Sequence, residues 1–240
     1  MISIIIPTLN EEKILDKTLS SLKKLTNYDY EIIVSDGYST DKTVEIAKKY
    51  TNKIIVHDGK TRQTIGEGRN LGATIATGDF LVFMDADCLI INPNDFFQSA
   101  LNYFQKNKSL VAFAPSIKVL PEFATRADKI FSYLINLNYQ INSNVFHIGA
   151  APGEFQMIKK TAFIHINGYN KKLVTGEDVD FFQRLSKIGK VKFKKDLIVW
   201  HTGRRAHKIG WPRLLSLYFI NTIGIIFKGK SLSKEWKPIR

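Results

Sequence analysis

The stretch Phe80-Leu81-Val82-Phe83-Met84-Asp85-Ala86-Asp87 passes from five apolar residues directly to two carboxylates. An uninterrupted apolar run of this length is typical of a strand that is buried on both faces of a sheet. Working outward, further β-rich runs lie at residues 2–6, 31–35 and 53–57, and helical spacing predicts helices over about 11–25, 41–50 and 66–77. Strands that alternate with helices in this way predict a largely parallel sheet with helices on its faces.

The second half of the chain breaks this alternation. Apolar residues at helical spacing predict one helix over about 122–142 and another over about 177–188, with a loop and a short strand over 149–160 between them. A last strand is predicted over 197–200, before a basic loop and an apolar tail. We therefore predict a single α/β domain over residues 1–205, followed by a helical appendage over 206–240.

The charge balance is strongly basic. The 240 residues include 35 Lys and Arg against 22 Asp and Glu, which gives a net charge of +13. Such a surface attracts nucleic acid, anionic lipid or phosphorylated ligands, and it can also serve solubility alone. The single cysteine, Cys88, cannot form an internal disulfide, and the apolar run at 2–6 is too short for a signal peptide. These features predict a cytoplasmic location.

Asp85 and Asp87 stand where the predicted buried strand ends. In open α/β sheets, ligands bind beyond the carboxyl ends of the strands. Two carboxylates two residues apart can converge there on one hard cation. Mg²⁺ or Mn²⁺ prefers oxygen ligands and leaves positions open for phosphate oxygens. The alternative is a structural turn, which Asp also favours.

Two more segments carry polar groups at the same predicted edge. Asp36 follows the strand at 31–35, and its carboxylate could accept a hydrogen bond from the ring N–H of a base; the alternative is that the polar run only caps the next helix. The segment GEGRNLG at 66–72 makes Arg69 a candidate contact for a diphosphate. Its glycines do not match the P-loop spacing, so a helix start with glycines for close packing is the alternative there.

Acidic and basic residues follow in the second half. Glu177 and Asp178 begin the predicted helix at 177–188, where the helix dipole alone would favour them. A carboxylate near a bound donor could also remove the proton of an attacking sugar hydroxyl. After the last strand, His201 could ligate a metal, contact phosphate or be structural. Arg204 and Arg205 offer forked recognition of an anionic ligand.

Taken in order, these segments resemble the family 2 glycosyltransferases, inverting enzymes with a GT-A fold, to which the polyprenyl-phosphate sugar synthases also belong. The matching segments are IIIPTLNE at 4–11, VSDGYSTDKT at 34–43, GRNLG at 68–72, ATGD at 76–79, FMDAD at 83–87, GY at 168–169, GEDVD at 176–180 and RL at 184–185. The resemblance covers residues 2 to about 205. It implies a nucleotide-sugar-binding half over about 1–110 and an acceptor half over 111–205.

The resemblance also implies roles for individual residues. The nucleotide would be bound by Pro7, Thr8, Glu11, Asp36, Arg69 and Asp85. Mn²⁺ or Mg²⁺ would be held chiefly by Asp87, with Asp85 and His201. Asp178 would be the catalytic base. Glu177, Arg204 and Arg205 would contact the diphosphate or the acceptor, the arginines from a mobile loop. The partners implied are a UDP- or GDP-sugar and a lipid-linked or carbohydrate acceptor, without nucleic acid.

Two departures from the family pattern refine this expectation. The polyprenyl-phosphate mannose and glucose synthases usually carry Gln two residues after the second Asp of the D-x-D, where this chain has Leu89. The processive members carry a Q-x-x-R-W signature, which is not found after Asp178. A single-transfer enzyme is therefore favoured over a polymerase, and the donor sugar stays open.

The segment 214–227 is the most apolar of the chain and has basic residues on both sides. Fourteen helical residues span roughly 21 Å, short of the ~30 Å hydrocarbon core, which favours a peripheral anchor on the cytoplasmic face of a membrane over a spanning helix. Core packing or an oligomer contact is the alternative. For the whole chain, the alternative is a non-enzymatic basic protein that binds membrane or nucleic acid.

Overall fold

The computed structural model describes residues 1–233 and 239. Its strands are Ile2–Thr8 (β1), Tyr30–Asp36 (β2), Ile54–Val56 (β3), Phe80–Met84 (β4), Cys88–Leu89 (β5), Leu110–Val119 (β6), Phe155–Lys159 (β7) and Lys190–His201 (β8). Its helices are Leu15–Leu22 (α1), Thr43–Lys48 (α2), Ile65–Thr74 (α3), Pro93–Lys106 (α4), Arg126–Asn144 (α5), Lys160–His165 (α6), Glu177–Ser186 (α7), Arg204–Ile209 (α8) and Trp211–Lys228 (α9).

The strands form an eight-stranded sheet in the order β3-β2-β1-β4-β7-β6-β8-β5. In its first half, β1 pairs in parallel with β2 and β4, and β2 pairs in parallel with β3. From Leu81 to Met84, β4 is fully buried, because hydrophobic clusters lie on both faces of the sheet. The mixed α/β sheet expected from the sequence is confirmed.

Antiparallel pairing decides which loops meet at the end of β4. β7 lies between β4 and β6 and runs antiparallel to both, so that Phe155 lies opposite Met84. β5 runs antiparallel to β8, with Cys88 opposite His201. The end of β4 is therefore adjacent both to the loop before β7 and to the segment after β8.

Several elements differ from the sequence-based expectation. β5, α4, β6 and α6 were not predicted, and β8 is longer than the predicted strand at 197–200. The basic loop expected to carry Arg204 and Arg205 is instead the helix α8. In its first half Val191 and Phe193 alternate inward between lysines, a period-2 pattern that is interrupted by a shift in the pairing with β6. α1 begins at Leu15 rather than near residue 11, because the preceding segment makes hydrogen bonds to the loop after β2.

The helix expected over 122–142 forms as α5, but its apolar stripe faces outward. Ile130, Leu134, Leu137 and Ile141 are exposed, whereas Asp128, Ser132 and Ser143 are buried. The buried face of a helix is ordinarily its apolar one. The inward side of α5 combines these polar residues with Phe131 and Ile135, which pack against α8 and α9.

α8 and α9 pack against the first half of α5. The rings of Phe131 and Trp211 stack with centroids 5.2 Å apart, and the indole Nε1 of Trp211 donates to Asp128 at 2.8 Å. Within the described residues, no helix is both long and apolar enough to cross a bilayer. Residues 234–238 and 240 of the expected appendage lie outside the described residues.

Candidate active site

Carboxylates from three segments gather where β4 ends. The backbone N–H of Asp85 donates to the carbonyl of Glu154 at 3.0 Å, which follows from the antiparallel pairing of β4 with β7. Asp178, in the first turn of α7, places its Oδ2 3.3 Å from the position that a Cβ on Gly153 would occupy. Asp85, Asp87, Glu154 and Asp178 therefore surround one site, which we call the acidic cluster.

Arg69 is buried beside this cluster and pairs with Asp85 and with the neighbouring Glu177. Its side chain is 1% exposed, and Nη1 donates to Glu177 Oε1 at 2.9 Å. Nη2 donates to Asp85 Oδ1 at 3.0 Å and to the Gly153 carbonyl at 2.7 Å. The guanidinium thus faces protein carboxylates. The diphosphate contact expected for Arg69 stays a prediction, and it would require the guanidinium to leave these pairs.

Burial and repulsion between like charges raise the pKa values of Asp85, Glu154 and Asp178. Burial, together with the charge on Glu177, raises the pKa of Asp178. Burial and the charge on Asp85 raise the pKa of Glu154 to about 7, and burial raises the pKa of Asp85 although Arg69 opposes the change. Desolvation and like charges both disfavour the ionised carboxylates, so a bound cation would relieve a real electrostatic cost.

The Arg204 side chain links Glu11, which follows β1, to Asp87, which follows β4. Its Nη1 and Nη2 donate to the two carboxylate oxygens of Glu11 at 2.6 and 2.9 Å, and its Nε lies 3.1 Å from Asp87 Oδ2. The hydroxyl of Thr202 donates to the same Asp87 oxygen at 2.6 Å. Gly203 precedes α8 with φ +69°, a backbone conformation that side chains rarely adopt, and this turn directs Arg204 back to the sheet.

The donor set at this point fits a divalent cation whose remaining ligands come from a substrate. Among the described residues, no three His, Cys, Asp or Glu side chains form a complete metal site. Asp87 nevertheless already balances a cation, the Arg204 guanidinium, and carboxylate oxygens are the ligands that Mg²⁺ and Mn²⁺ prefer. His201 follows on the adjacent strand, where burial lowers its pKa and favours the neutral, metal-ligating imidazole.

Four of the six expected nucleotide-binding residues, Pro7, Thr8, Glu11 and Asp36, lie at or just beyond the carboxyl ends of β1 and β2. Asp36 is buried, and its Oδ1 accepts hydrogen bonds from the hydroxyls of Thr8 and Ser39 at 2.8 and 2.6 Å. Its Oδ2 accepts from the backbone N–H of Ser39 at 2.7 Å. Asp36 therefore fixes the loops after β1 and β2, and Pro7 lies on the same edge of the sheet. Contact of Asp36 with a base stays a prediction.

Three residues near the acidic cluster, Glu154, Tyr139 and Tyr218, escaped the sequence analysis. Glu154 reaches the acidic cluster only because β7 pairs with β4, and residue spacing gives no signal of that pairing. Tyr139 on α5 and Tyr218 on α9 lie close enough to Asp178 and Glu154 for those charges, after burial, to raise the pKa of both phenols. Arg205 lies near Tyr218 and opposes that rise. Both tyrosines therefore lie near Asp178 and Glu154 of the acidic cluster.

A family model agrees with this architecture. The model of glycosyl transferase family 2 matches residues 3–166, from the start of β1 to the end of α6. This chain belongs to glycosyl transferase family 2. Among curated relatives of this family 2 chain is a PGL/p-HBAD biosynthesis glycosyltransferase of Mycobacterium bovis, 40% identical over 91 residues. That match covers 36% of this chain and only 35% of the relative.

Solved structures share the GT-A fold. The mannosyltransferase PcManGT from Pyrobaculum calidifontis, in complex with GDP-Man and Mn²⁺, superposes with a TM-score of 0.74 at 16% identity, over 96% of this chain and 65% of that one. TarS 1–349 of S. aureus, in complex with UDP-GlcNAc, superposes with a TM-score of 0.64 at 21% identity, over 83% and 57%. The GT-A fold expected for this family 2 chain is confirmed.

Proposed function

We propose that this family 2 chain transfers a sugar from a nucleotide diphosphate sugar to an acceptor in a single displacement that inverts the anomeric carbon. The observation that carries the proposal is the acidic cluster at the carboxyl end of β4, with Asp85, Asp87, Glu154 and Asp178 around one site. Family membership supports the reaction class, and the nucleotide sugars named for the solved relatives support the donor class.

The donor would bind at the carboxyl ends of β1, β2 and β4. Asp87 and Asp85, with His201, would hold Mn²⁺ or Mg²⁺, which when bound would supply positive charge to the leaving nucleoside diphosphate. Arg204 already lies beside Asp87, where its guanidinium would stabilise the same developing charge. Pro7, Thr8, Glu11, Asp36 and Arg69 would position the nucleotide.

Asp178 would act on the acceptor. The acceptor oxygen forms a bond to the anomeric carbon while the bond from that carbon to the diphosphate oxygen breaks, and its electron pair leaves with the diphosphate. A hydroxyl acceptor passes its proton to Asp178, whose raised pKa suits a general base. A lipid phosphate is already anionic near pH 7, because its second pKa is about 6. Asp178 would then orient it.

We further propose a lipid-linked acceptor and a peripheral location on the cytoplasmic face of a membrane. Tyr139 and Tyr218 lie near Asp178 on two helices that also expose apolar residues. Arg205 and Glu177 would complete the acceptor side. No family signature of processive synthesis follows Asp178, which supports a single transfer.

Asp87→Asn and Asp178→Asn, compared side by side, test the proposal. We expect Asp87→Asn to abolish metal-dependent transfer and hydrolysis of the donor. Asp178→Asn should lower transfer by roughly 10²–10⁴-fold with a hydroxyl acceptor, while it leaves donor binding intact. Asp196→Asn, an exposed carboxylate on β8, serves as the matched control. Retained turnover in Asp87→Asn would remove the metal from the mechanism, and retained transfer in Asp178→Asn would remove the general base.

A further inference from the structure

The outward face of α5 is apolar although the helix buries polar residues. We call Ile130, Tyr133, Leu134, Leu137 and Ile141 the α5 face; all five are exposed. Their spacing along the helix places them opposite Asp128, Ser132 and Ser143, which are buried. Large contiguous apolar patches are uncommon on monomeric soluble proteins and mark interaction sites, which makes the α5 face a candidate for one.

Hydrogen bonds on the buried side of α5 oppose a rotation that would turn the α5 face inward. Asp128 accepts hydrogen bonds from Thr125, from Trp211 Nε1 and, at 2.8 Å, faces His207 Nε2. Further along, the hydroxyl of Ser143 donates to the Ala150 carbonyl at 2.6 Å. A rotation that buried the apolar residues would break the bonds from Trp211 to Asp128 and from Ser143 to Ala150, and it would leave polar groups desolvated.

Apolar exposure continues on the neighbouring elements. Phe219, Ile223 and Phe227 are spaced four residues apart on α9, and all three are exposed. Val145 and Phe146, directly after α5, are exposed as well. Exposed apolar residues therefore occur on α9 and directly after α5 as well as on α5 itself.

The exposed charges of these helices all have one sign. On α5 they are Arg126 and Lys129, because the helix's acidic residue, Asp128, is buried. The segment 204–233 contains no Asp or Glu, and its exposed charged residues are Lys208, Arg213, Lys228 and Lys230. Apolar helices whose own exposed charges are all positive are complementary to an anionic, amphiphilic partner.

We propose that the α5 face, flanked by α9, binds the surface of an anionic lipid bilayer. A bilayer offers an apolar layer for the Leu and Ile side chains and headgroup phosphates for the Lys and Arg side chains. A second copy of the chain would instead bring basic flanks of the same sign together, on molecules that each carry +13. Nucleic acid would leave the apolar residues uncovered.

Vesicle flotation with a matched pair of double variants tests this proposal. Ile130→Ser/Leu134→Ser removes two residues of the α5 face that are 59% and 50% exposed. Ile91→Ser/Ile164→Ser, on other elements, removes two that are 57% and 61% exposed. We expect the full chain to float with phosphatidylglycerol/phosphatidylcholine vesicles, and the α5-face variant to show a partition coefficient about tenfold lower. The control should match the unsubstituted protein, and the melting temperatures of all three should agree, because every substituted side chain is exposed.

A second pair tests the charge. Arg126→Glu/Lys129→Glu should reduce flotation with anionic vesicles, whereas Lys23→Glu/Lys24→Glu, exposed at the end of α1, should not. Raising the salt from about 0.1 M to about 1 M, which shortens the screening length from about 10 Å to about 3 Å, should weaken binding.

The proposal would be overturned if the unsubstituted protein did not float with the vesicles. It would also be overturned if, in either pair, the test variant and its control lost vesicle binding to the same extent. Light scattering without lipid tests the alternative partner, which is a second copy of the chain. A dimer that Ile130→Ser/Leu134→Ser converts to a monomer would assign the α5 face to a second copy. This inference rests on the peripheral location proposed above and names the surface that binds. Because none of these readouts uses sugar transfer, failure here would overturn that location and leave the proposed transfer reaction standing.

Discussion

At the scale of single residues, Asp128 shows how one buried carboxylate can orient a helix. It receives hydrogen bonds from its own helix through Thr125 and from α9 through Trp211, and its Oδ2 lies 2.8 Å from His207 of α8. Burial would raise its pKa, but these hydrogen bonds prevail and lower the pKa to about 2. The ionised carboxylate therefore joins α5 to α8 and α9.

This carboxylate predicts a pH-dependent contribution to stability. Because the folded-state pKa lies below the unfolded value of about 3.9, the contribution is present above about pH 4 and is lost as the pH falls towards 2. Asp128→Asn should lower the free energy of unfolding by about 2 kcal/mol at pH 7, and the difference from the unsubstituted protein should shrink between pH 4 and 2. Urea unfolding across this range measures it, with the exposed Asp58→Asn as control. A difference that does not change with pH would contradict the assignment.

Arg204 is a second residue whose removal has a definite consequence. Glu11 and Asp87 are both nearly buried, and Arg204 neutralises both. Removing one partner of a buried ion pair typically costs about 3–5 kcal/mol, because the remaining charge is uncompensated. Arg204→Gln should therefore lower the melting temperature, and Mn²⁺ should restore part of the loss if a cation can take the guanidinium's place beside Asp87.

Scanning calorimetry with and without Mn²⁺ measures this effect. The expected signature is a larger Mn²⁺-induced rise in melting temperature for Arg204→Gln than for the unsubstituted protein. Lys13→Gln, an exposed position, should behave as the unsubstituted protein. Equal rises in all three would show that the cation does not bind near Arg204.

At the scale of elements, the glycines of α3 serve packing against the sheet. A Cβ on Gly72 would lie 2.5 Å from Ile5 Cγ2 on β1 and 3.3 Å from Ser35 Cβ on β2. α3 therefore approaches the two strands more closely than a larger residue would allow. Its start is fixed by a capping box in which Thr64 and Glu67 satisfy each other's backbone N–H groups.

The close approach predicts overpacking. Gly72→Ala should lower the free energy of unfolding by about 1–3 kcal/mol, the usual cost of inserting atoms into a packed core, in spite of the better helix propensity of Ala. Thr74→Ala, exposed on the same helix, should change it by less than about 0.5 kcal/mol. Denaturant titration of both variants measures the contrast, and a stabilised Gly72→Ala would show that α3 can move away from β1.

At the scale of the whole molecule, ligand binding at the ends of β1, β2 and β4 should stabilise the fold. A donor at about 100 times its dissociation constant contributes about 2.7 kcal/mol. For a chain of this size that corresponds to a rise of about 5–10 °C in melting temperature. We expect such a rise with one of the UDP- or GDP-sugars when Mn²⁺ or Mg²⁺ is present.

A thermal-shift screen that varies the nucleotide, the metal and the sugar one at a time measures this rise in melting temperature. Asp87→Asn should remove the metal-dependent part of the rise. A shift of equal size in Asp87→Asn would place the donor away from the acidic cluster, and it would show that the proposed metal ligands are wrong.

The sequence predicted most of the elements whose signal is local. α4 is an exception, because Phe96, Ala100 and Phe104 have helical spacing and the helix was still missed. The apolar run of β4, the β-rich runs of β1 and β2 and the helical spacing of α3 and α7 each depend on neighbours within one turn or one strand. The motifs in the order of family 2 predicted the GT-A fold and drew attention to Asp85, Asp87 and Asp178. β6, with Pro115 within it, and the first half of β8, with lysines at every second position, were missed or shortened, because their pairing partners are distant in the chain.

The sequence by itself determined the fold class and the acidic character of the site, since both follow from short-range patterns of hydrophobicity and charge. Only the tertiary structure decided that Glu154 joins Asp85, that Arg69 is buried between carboxylates, and that Arg204 reaches Glu11. It also decided which face of α5 is outward: helical periodicity predicts that an apolar stripe exists, whereas the long-range hydrogen bond from Trp211 to Asp128 and the stacking of Phe131 on Trp211 hold the opposite side inward. Contacts between residues far apart in the chain depend on sheet topology and desolvation, and residue spacing encodes neither.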